Sequence, residues 1–167
     1  MKAAANDIVI AAAAGVVATV PMTITMEELH RLFPPERDEP LPPREVTEGI
    51  YEHFDDVEDA PEERLEKLTF LLHYGFGGAA GALFPLIAPR RLPAAVGAGM
   101  VYGLAVWSGA YLGVLPRIGV RHHAKHDSVE RSVVMIAAHV VWGATLGLIL
   151  RGRPGLRVAS HPDAAER

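Results

Sequence analysis

Residues 132–150 read SVVMIAAHVVWGATLGLIL and contain no Asp, Glu, Lys or Arg. Arg131 and Arg151 flank this stretch, so charge stops at both of its ends. A helix needs about 20 mostly apolar residues to cross the hydrocarbon core of a bilayer. Within lipid, only helices and closed barrels satisfy their own backbone hydrogen bonds, and the strict alternation of barrel strands is missing here. The stretch therefore predicts a transmembrane helix.

Three more windows lack charged residues, namely 8–26, 68–88 and 92–116. One such window is compatible with a buried helix of a soluble protein, but four in a chain of 167 residues are not. We predict an all-α membrane protein, a four-transmembrane-helix bundle with spans at about 8–30, 65–88, 93–115 and 132–150. A cleaved signal peptide at the N-terminus is the alternative for the first window, and it would leave three spans.

The composition excludes several classes of function. The net charge of -4 does not favour nucleic acid as a partner, and the absence of cysteine excludes disulfides, thiolate metal sites and cysteine nucleophiles. No Ser-His-Asp order, phosphate-binding loop or pair of carboxylates is discernible. We therefore expect a non-enzymatic protein without a cofactor, whose first partner is the lipid bilayer.

The distribution of arginine predicts the orientation. Four spans place both termini on one side, together with the short Arg90–Arg91 link and with Arg151. Short loops rich in arginine stay in the cytoplasm, which predicts cytoplasmic termini in a bacterial inner membrane. Arg117 and Arg121 lie on the opposite side, so the bias is small. We expect residues 152–167 to form a polar, disordered cytoplasmic tail.

The polar loop 33–64 contains a second kind of helix. From Glu45 to Phe54, the apolar residues Val46, Ile50, Tyr51 and Phe54 recur at helical spacing and give one apolar face. Such a short amphipathic helix lies on the membrane surface or packs on the ends of other helices.

The second and fourth spans share the pattern His-x-x-aromatic-Gly-x-x-x-Gly. It runs from His73 to Gly81 through Phe76 and Gly77, and from His139 to Gly147 through Trp142 and Gly143. This repeat predicts a duplicated helical hairpin, 2+2, with a pseudo-twofold axis along the membrane normal. The glycine pairs predict close helix packing of the GxxxG type, as do Gly99 with Gly103 and Gly109 with Gly113.

His73 and His139 are the only ionisable residues well inside the predicted spans, at similar depth. Polar residues at such depth are expensive and are functional candidates. Three interpretations stay open. The histidines form interhelical hydrogen bonds with backbone, Tyr or Thr, they bind a haem b or a metal ion as a pair, or they have a proton-responsive or transport role.

Two polar clusters lie at the predicted membrane edge. His122 and His126, which Asp127 follows, would share one helical face if this link is helical and could bind a divalent metal, although the neighbouring basic residues favour an exposed linker. Glu27, Glu28 and His30 end the first span on the same side, where they are placed to pair with Arg117, Arg121 or Arg131.

Several stretches resemble the YagU-like family of uncharacterised bacterial inner-membrane proteins. They are Pro40-Leu41-Pro42-Pro43-Arg44, His73-x-x-Phe76, the small-residue third span ending near Pro116, and His139-Val-Val-Trp142. The resemblance covers most of the chain. It implies a multi-span inner-membrane protein with a link to acid resistance, and it supplies no catalytic or binding residues.

Three hypotheses for function follow. The first is a small accessory or self-associating membrane protein, linked to acid or envelope stress and part of a homo-oligomer or a larger membrane complex. The second is a bis-histidine haem or metal protein that uses His73 and His139. The third is a small transporter, which needs a dimer because four helices per chain enclose little space.

Overall fold

The structure is a computed structural model that describes residues 2–33, 40–52, 60–86, 92–117, 119 and 128–151. These residues are helical and contain no β-strand. The elements in chain order are α1 (Lys2–Leu32), α2 (Pro42–Tyr51), α3 (Glu62–Leu83) with a 3₁₀ turn (Phe84–Leu86), α4 (Leu92–Ser108) with a π-helical segment (Gly109–Val114), α5 (Leu115–Arg117) and α6 (Val129–Ile149).

Local sequence explains where the helices start. Pro42 and Pro43 open α2, because proline fixes φ and its missing N–H is not needed in a first turn. Glu62 and Glu63 lie in the first turn of α3, where carboxylates favour the positive end of the helix dipole. The Ser128 hydroxyl caps α6 by accepting a hydrogen bond from the Arg131 backbone N–H at 3.2 Å.

Three helices are long and apolar enough to cross a membrane, namely Asn6–Leu32, Ala95–Arg117 and Val129–Ile149. Helix α3 does not reach that standard, although a fourth span was predicted at 65–88. Its first turns are charged, and the apolar part starts only at Leu68 and then includes His73 and Tyr74. By length and composition, the described chain therefore has three candidate spans, not four.

The long helices form two closely packed pairs. The first pair is α1 with α3, the second pair is α4 with α6, and α1 also packs along α6. Large apolar side chains such as Val9, Phe70, Val101 and Leu112 are exposed on the outer faces. An apolar outer surface of this extent is typical of helices that lipid surrounds.

Glycine determines how closely each pair approaches. In the first pair, a Cβ on Gly15 would overlap the Gly77 carbonyl oxygen, and one on Gly81 would overlap the Ala11 carbonyl oxygen. In the second pair, Gly99 faces the Gly143 carbonyl oxygen and Gly147 faces that of Ala95. Any side chain at these positions would push the two backbones apart, so the glycines are required by the close approach.

Gly109 and Gly113 behave differently from the other predicted pairs. A Cβ on Gly109 would meet nothing, and one on Gly113 would meet only the Arg117 side chain. Both lie in the π-helical segment, whose wider turn changes which face they occupy. The predicted packing of this pair is therefore not found among the described residues.

The amphipathic helix of the first loop is present as α2, but it runs from Pro42 to Tyr51, whereas the sequence predicted Glu45 to Phe54. Phe54 lies outside the described residues. The helix packs against α3, with Thr47 and Tyr51 buried. A third contact is made by Arg64 of α3, whose guanidinium lies 5.3 Å from the centre of the Tyr51 ring.

Candidate functional site: a histidine-lined cavity beneath α2

A cavity of about 310 Å³ lies between the helices, on the side that α2 covers. Cavities of this size hold small organic molecules. Its walls come from both helix pairs, from the π-helical segment and from α2. The lining includes Thr19, Met22, Met26, Val46, Ile50, Leu72, His73, Phe76, Trp107, Ala110, Tyr111, Val114, Met135, His139 and Trp142.

The walls of the cavity are almost wholly apolar. No Asp, Glu, Lys or Arg is among the described residues that line it. The polar atoms that remain belong to Thr19, the two histidines, Tyr111 and the two tryptophans. A charged molecule would lose its hydration here without gaining an ion pair, so the lining favours a neutral occupant.

His73 is held through a chain of hydrogen bonds to α1. The Thr23 hydroxyl donates its single hydrogen to the Thr19 carbonyl oxygen at 2.9 Å, and Thr23 Oγ1 lies 3.2 Å from His73 Nε2. Because that hydrogen is already used, His73 Nε2–H donates and Thr23 Oγ1 accepts. Neutral His73 therefore keeps its lone pair on Nδ1. His73 therefore makes an interhelical hydrogen bond to a threonine, which is the first of the three interpretations of the sequence.

His139 is buried and is held by its own helix instead. Its Nδ1 lies 2.8 Å from the Met135 carbonyl oxygen, one turn earlier in α6. A carbonyl oxygen only accepts, so Nδ1 carries the hydrogen and the lone pair of the neutral ring is on Nε2. Histidines that bind metals are usually oriented by this kind of bond from the other ring nitrogen to a backbone carbonyl.

Two tryptophans line the cavity, and they differ in their hydrogen bonding. Trp142 Nε1 donates to the Gly15 carbonyl oxygen at 3.1 Å, which joins α6 to α1. Trp107 Nε1 is buried and makes no hydrogen bond with any residue that the structure describes. The Trp107 ring stacks on Tyr111 with centroids 5.9 Å apart.

Helix α2 is fixed to the second helix pair by Arg131. This side chain is 7% exposed, pairs with Glu45 and donates to the Pro40 carbonyl oxygen at 3.2 Å. From the sequence, the α1 cluster of Glu27, Glu28 and His30 was expected to pair with Arg117, Arg121 or Arg131. The carboxylate that the structure places beside the Arg131 guanidinium is that of Glu45, because α2 folds back over the helix ends.

Helix α2 is fixed to the first helix pair by Arg44. Its guanidinium binds both carboxylate oxygens of Glu62 in α3, at 2.8 and 2.7 Å, and also binds Glu48. Hydrogen bonds to Glu62 and then to Glu48 raise the pKa of Arg44 above its usual range. The arginine therefore stays charged, and the two-pronged bond fixes orientation as well as distance.

On one side the cavity lies close to the outer surface of the protein. Leu72 and Phe76 of α3 and Val114 of the π-helical segment line it and are exposed by 38%, 51% and 56%. All three side chains are apolar. This side of the cavity therefore opens on the same apolar outer surface as the other exposed apolar side chains of the long helices.

The remaining predicted site residues are dispersed. His122, His126 and Asp127 lie outside the described residues. Glu28 pairs with Arg31 at 2.8 Å, Glu27 is exposed, and His30 lies near Arg131 at a small hollow beside α2. Within the described part of the chain, no three His, Cys, Asp or Glu residues come together as metal ligands. The predicted self-association and the dimeric transporter stay predictions, since the structure describes one chain.

Residues 27–148 match a family model described as "Protein of unknown function (DUF1440)". The chain belongs to this family. The DUF1440 match starts in the last turns of α1 and ends at Leu148 in α6, so it includes α2 and both cavity histidines. No curated protein and no solved structure matches the chain.

Sequence reasoning missed four residues of the site. Thr23 and Trp107 have no distinctive spacing relative to the histidines, and they approach the cavity only when the helices pack. Arg44 was noted only as part of the Pro40–Arg44 stretch and Glu45 only as the first residue of the predicted amphipathic helix, and no ion-pair partner was predicted for either. A Pro-Pro start followed by Arg-Glu at the beginning of an amphipathic helix is the signal that could have marked them.

Proposed function

We propose that this protein binds a small, neutral, apolar molecule that enters from the bilayer into the cavity beneath α2. The observation that carries the proposal is the lining itself. A space of about 310 Å³ with apolar walls and no described charged residue suits an apolar guest. The side bounded by Leu72, Phe76 and Val114 provides an entry that avoids water.

The proposal includes a topology. Four helices cross a bacterial inner membrane, with α3 and its 3₁₀ turn, Phe84–Leu86, as the fourth span. Both termini are cytoplasmic, as the arginine distribution predicts. Helix α2 then lies at the opposite face of the membrane and separates the cavity from water. The relatives of this protein are the YagU-like proteins that its sequence resembles.

The duplicated hairpin is part of the same proposal. Gly77 and Gly81 face Gly15 and Ala11 in the first pair, and Gly143 and Gly147 face Gly99 and Ala95 in the second. Gly15 and Ala11 are four residues apart, as are Gly99 and Ala95. Matching partners at matching spacing support the proposal that the two pairs arose from one hairpin, in which His73 and His139 are counterparts.

The test is saturable binding of hexylbenzene to the protein in lipid nanodiscs. The chain has two tryptophans, Trp107 and Trp142, and both line the cavity, so intrinsic fluorescence reports on its occupancy. Ala110→Phe fills the cavity from the π-helical segment and should reduce hexylbenzene affinity at least tenfold. The matched control is Ala105→Phe, because Ala105 is exposed and does not line the cavity. A response that never saturates, or equal affinity of the two variants, would contradict the proposal.

A second proposal is a bis-histidine haem or metal site. One observation favours it: His139 Nδ1 donates to the Met135 carbonyl oxygen, which leaves Nε2 as a coordinating atom. His73 Nε2 is engaged with Thr23, so His73 would have to coordinate through Nδ1 or turn its ring. A Soret band in the purified protein that disappears in His139→Ala supports this function, and a colourless protein free of metal contradicts it.

A further inference from the structure

The hydrogen-bonding groups of the cavity specify the head group of the guest. The first group is the Trp107 indole N–H, a buried donor with no acceptor among the described residues. A buried donor without an acceptor destabilises the protein, because it has lost its bond to water and gained none in return. Trp142 on the same cavity shows the alternative, since its N–H reaches a carbonyl oxygen. We therefore expect the guest to carry an acceptor atom that binds the Trp107 N–H.

The second group is His139 Nε2. The Nδ1–H bond to Met135 holds the other edge of the ring against α6, so Nε2 is on the edge away from that carbonyl. No described residue donates a hydrogen bond to it. In the neutral ring this atom is an acceptor, so a guest with a donor group can form a hydrogen bond to it.

The third group is the free ring nitrogen of His73, which is a hydrogen-bond acceptor like His139 Nε2. The Nε2–H of His73 is used by Thr23, so its remaining ring nitrogen is also an acceptor when the ring is neutral. The cavity thus offers one spare donor and two imidazole acceptors. A ketone, an ether or an ester can accept from Trp107 but cannot donate to an imidazole. A hydroxyl group can do both.

The walls favour an aromatic ring next to that hydroxyl. Phe76, Trp107, Tyr111 and Trp142 line the cavity, and Tyr102 extends this aromatic surface behind Trp142 with ring centres 5.9 Å apart. Aromatic rings pack well against one another in offset or edge-on arrangements. No described charged residue is present to bind a phosphate or a carboxylate.

We propose, resting on the binding function above, that the guest is a lipid-soluble phenol. Its hydroxyl donates to His139 Nε2, an oxygen of the same head group accepts from Trp107 Nε1–H, and its alkyl tail leaves the cavity past Leu72, Phe76 and Val114 into the bilayer. His139 and Trp107 are the residues that distinguish a phenol from other apolar guests of the same size.

Three probes of similar shape test the proposal in the full chain in nanodiscs: 4-hexylphenol, 4-hexylanisole and hexylbenzene. The phenol donates and accepts, the ether only accepts, and the hydrocarbon does neither. The phenol should bind about tenfold more tightly than the ether, because one hydrogen bond of roughly 1.4 kcal/mol is a tenfold change. The ether should in turn bind more tightly than hexylbenzene.

Two variants assign the preference to residues. His139→Leu should lower phenol affinity to that of the ether and leave hexylbenzene unchanged. Trp107→Phe should weaken the phenol and the ether together and keep the ratio between them. The control is Tyr74→Phe, which removes the hydroxyl of a ring that packs edge-on against His73 but does not line the cavity, and it should change nothing.

The outcomes separate this proposal from the previous one. Equal affinity of the three probes for the unaltered protein overturns the phenol and leaves the cavity function standing. Hexylbenzene that fails to bind overturns the cavity function. Retention of the phenol preference in His139→Leu overturns the role of His139. Since the probe series on the unaltered protein needs no variant, a variant that does not fold leaves the central test intact.

Discussion

The two helix pairs share the same glycine pattern, yet they differ in whether backbone or side-chain atoms lie against the central glycine. In the second pair, Gly99 and Gly143 place backbone against backbone, and Gly103 lies on the carbonyl of His139. In the first pair, Gly77 meets a side chain, because Thr19 Oγ1 lies where its Cβ would be. The second pair therefore has no adjustable contact at its centre, whereas the first retains one.

The histidines follow the same division. His139 is buried and is oriented by its own helix, whereas His73 is half-buried and depends on Thr23 of the neighbouring helix. Helix α6 is also among the candidate spans, and α3 is not. A rigid pair and an adjustable pair share one cavity, and the exposed side chains Leu72 and Phe76 belong to the adjustable one. A molecule that enters from the bilayer needs side chains on this side of the cavity to move aside.

The largest expected effect comes from adding a methyl group at the centre of each pair. Gly143→Ala should lower the free energy of unfolding by about 3 kcal/mol, because its Cβ meets the Gly99 backbone. Gly77→Ala should cost less, about 2 kcal/mol, because its Cβ meets the Thr19 side chain, which would have to turn and give up its hydrogen bond to the Gly15 carbonyl oxygen. Denaturation in detergent, followed by circular dichroism, measures both.

Gly97→Ala is the matched control, because a Cβ there meets nothing. It should be neutral or stabilising, as alanine favours a helix over glycine by up to ~1 kcal/mol. Equal destabilisation by Gly143→Ala and Gly77→Ala would remove the distinction between a rigid and an adjustable pair.

The next effect concerns the two arginines that hold α2. Arg131→Met should destabilise the α2 contact by about 2 kcal/mol, less than a fully buried pair because Glu45 is 36% exposed. Arg44→Met should cost about 0.5 kcal/mol, since its partner Glu62 is largely exposed. Hydrogen exchange of the amides of residues 44–51 measures both variants against the unaltered protein.

High salt supplies the control for the arginine comparison. It should speed exchange in α2 by weakening the exposed Arg44 pair, and it should affect the buried Arg131 pair little. If Arg44→Met speeds hydrogen exchange in α2 more than Arg131→Met does, the contact of Arg131 in α6 is not the main anchor of this helix.

A smaller effect distinguishes the tryptophans. Trp142→Phe removes a hydrogen bond to the Gly15 carbonyl and should cost about 1 kcal/mol more than Trp107→Phe, which removes a donor without a described partner. The same atoms are lost in both variants, but Trp142 is buried and Trp107 is partly exposed, so a larger packing loss at Trp142 adds to the effect of its N–H group. Thermal unfolding in the same detergent measures it, and a greater loss for Trp107→Phe would mean that its N–H has an acceptor.

The smallest effect is local to one histidine. Thr23→Val removes the acceptor of His73 Nε2–H at a cost below ~1 kcal/mol. Nitrogen-15 spectra of the imidazoles should show a changed tautomer population for His73 and none for His139, whose Nδ1–H bond to Met135 is untouched. A change at both rings would show that the two histidines do not respond independently.

Much of the architecture could be predicted from the sequence. Three of the four predicted spans correspond to candidate membrane helices, and the amphipathic helix of the first loop is present with shifted ends. Uncharged windows and apolar periodicity are local properties, so they are visible in a single chain. The two histidines could also be found, because any ionisable residue within such a window is conspicuous.

The boundaries and the partners were not predictable in the same way. The pairing of Arg131 with Glu45 joins residues far apart in the chain, and it depends on α2 folding back over the bundle. The π-helical segment Gly109–Val114 has no sequence pattern that sets it apart from an α-helix. The expected packing of Gly109 with Gly113 failed for this reason.

The sequence by itself determined that long apolar helices alternate with polar links and that two histidines lie within them, because hydropathy and spacing act along the chain. Only the tertiary structure decided that His73 and His139 line one cavity, that Trp107 Nε1 is left without a described acceptor, and that α2 covers the space. Those features depend on which helix faces meet, and that is fixed by the close approach of glycine-bearing backbones over the whole bundle.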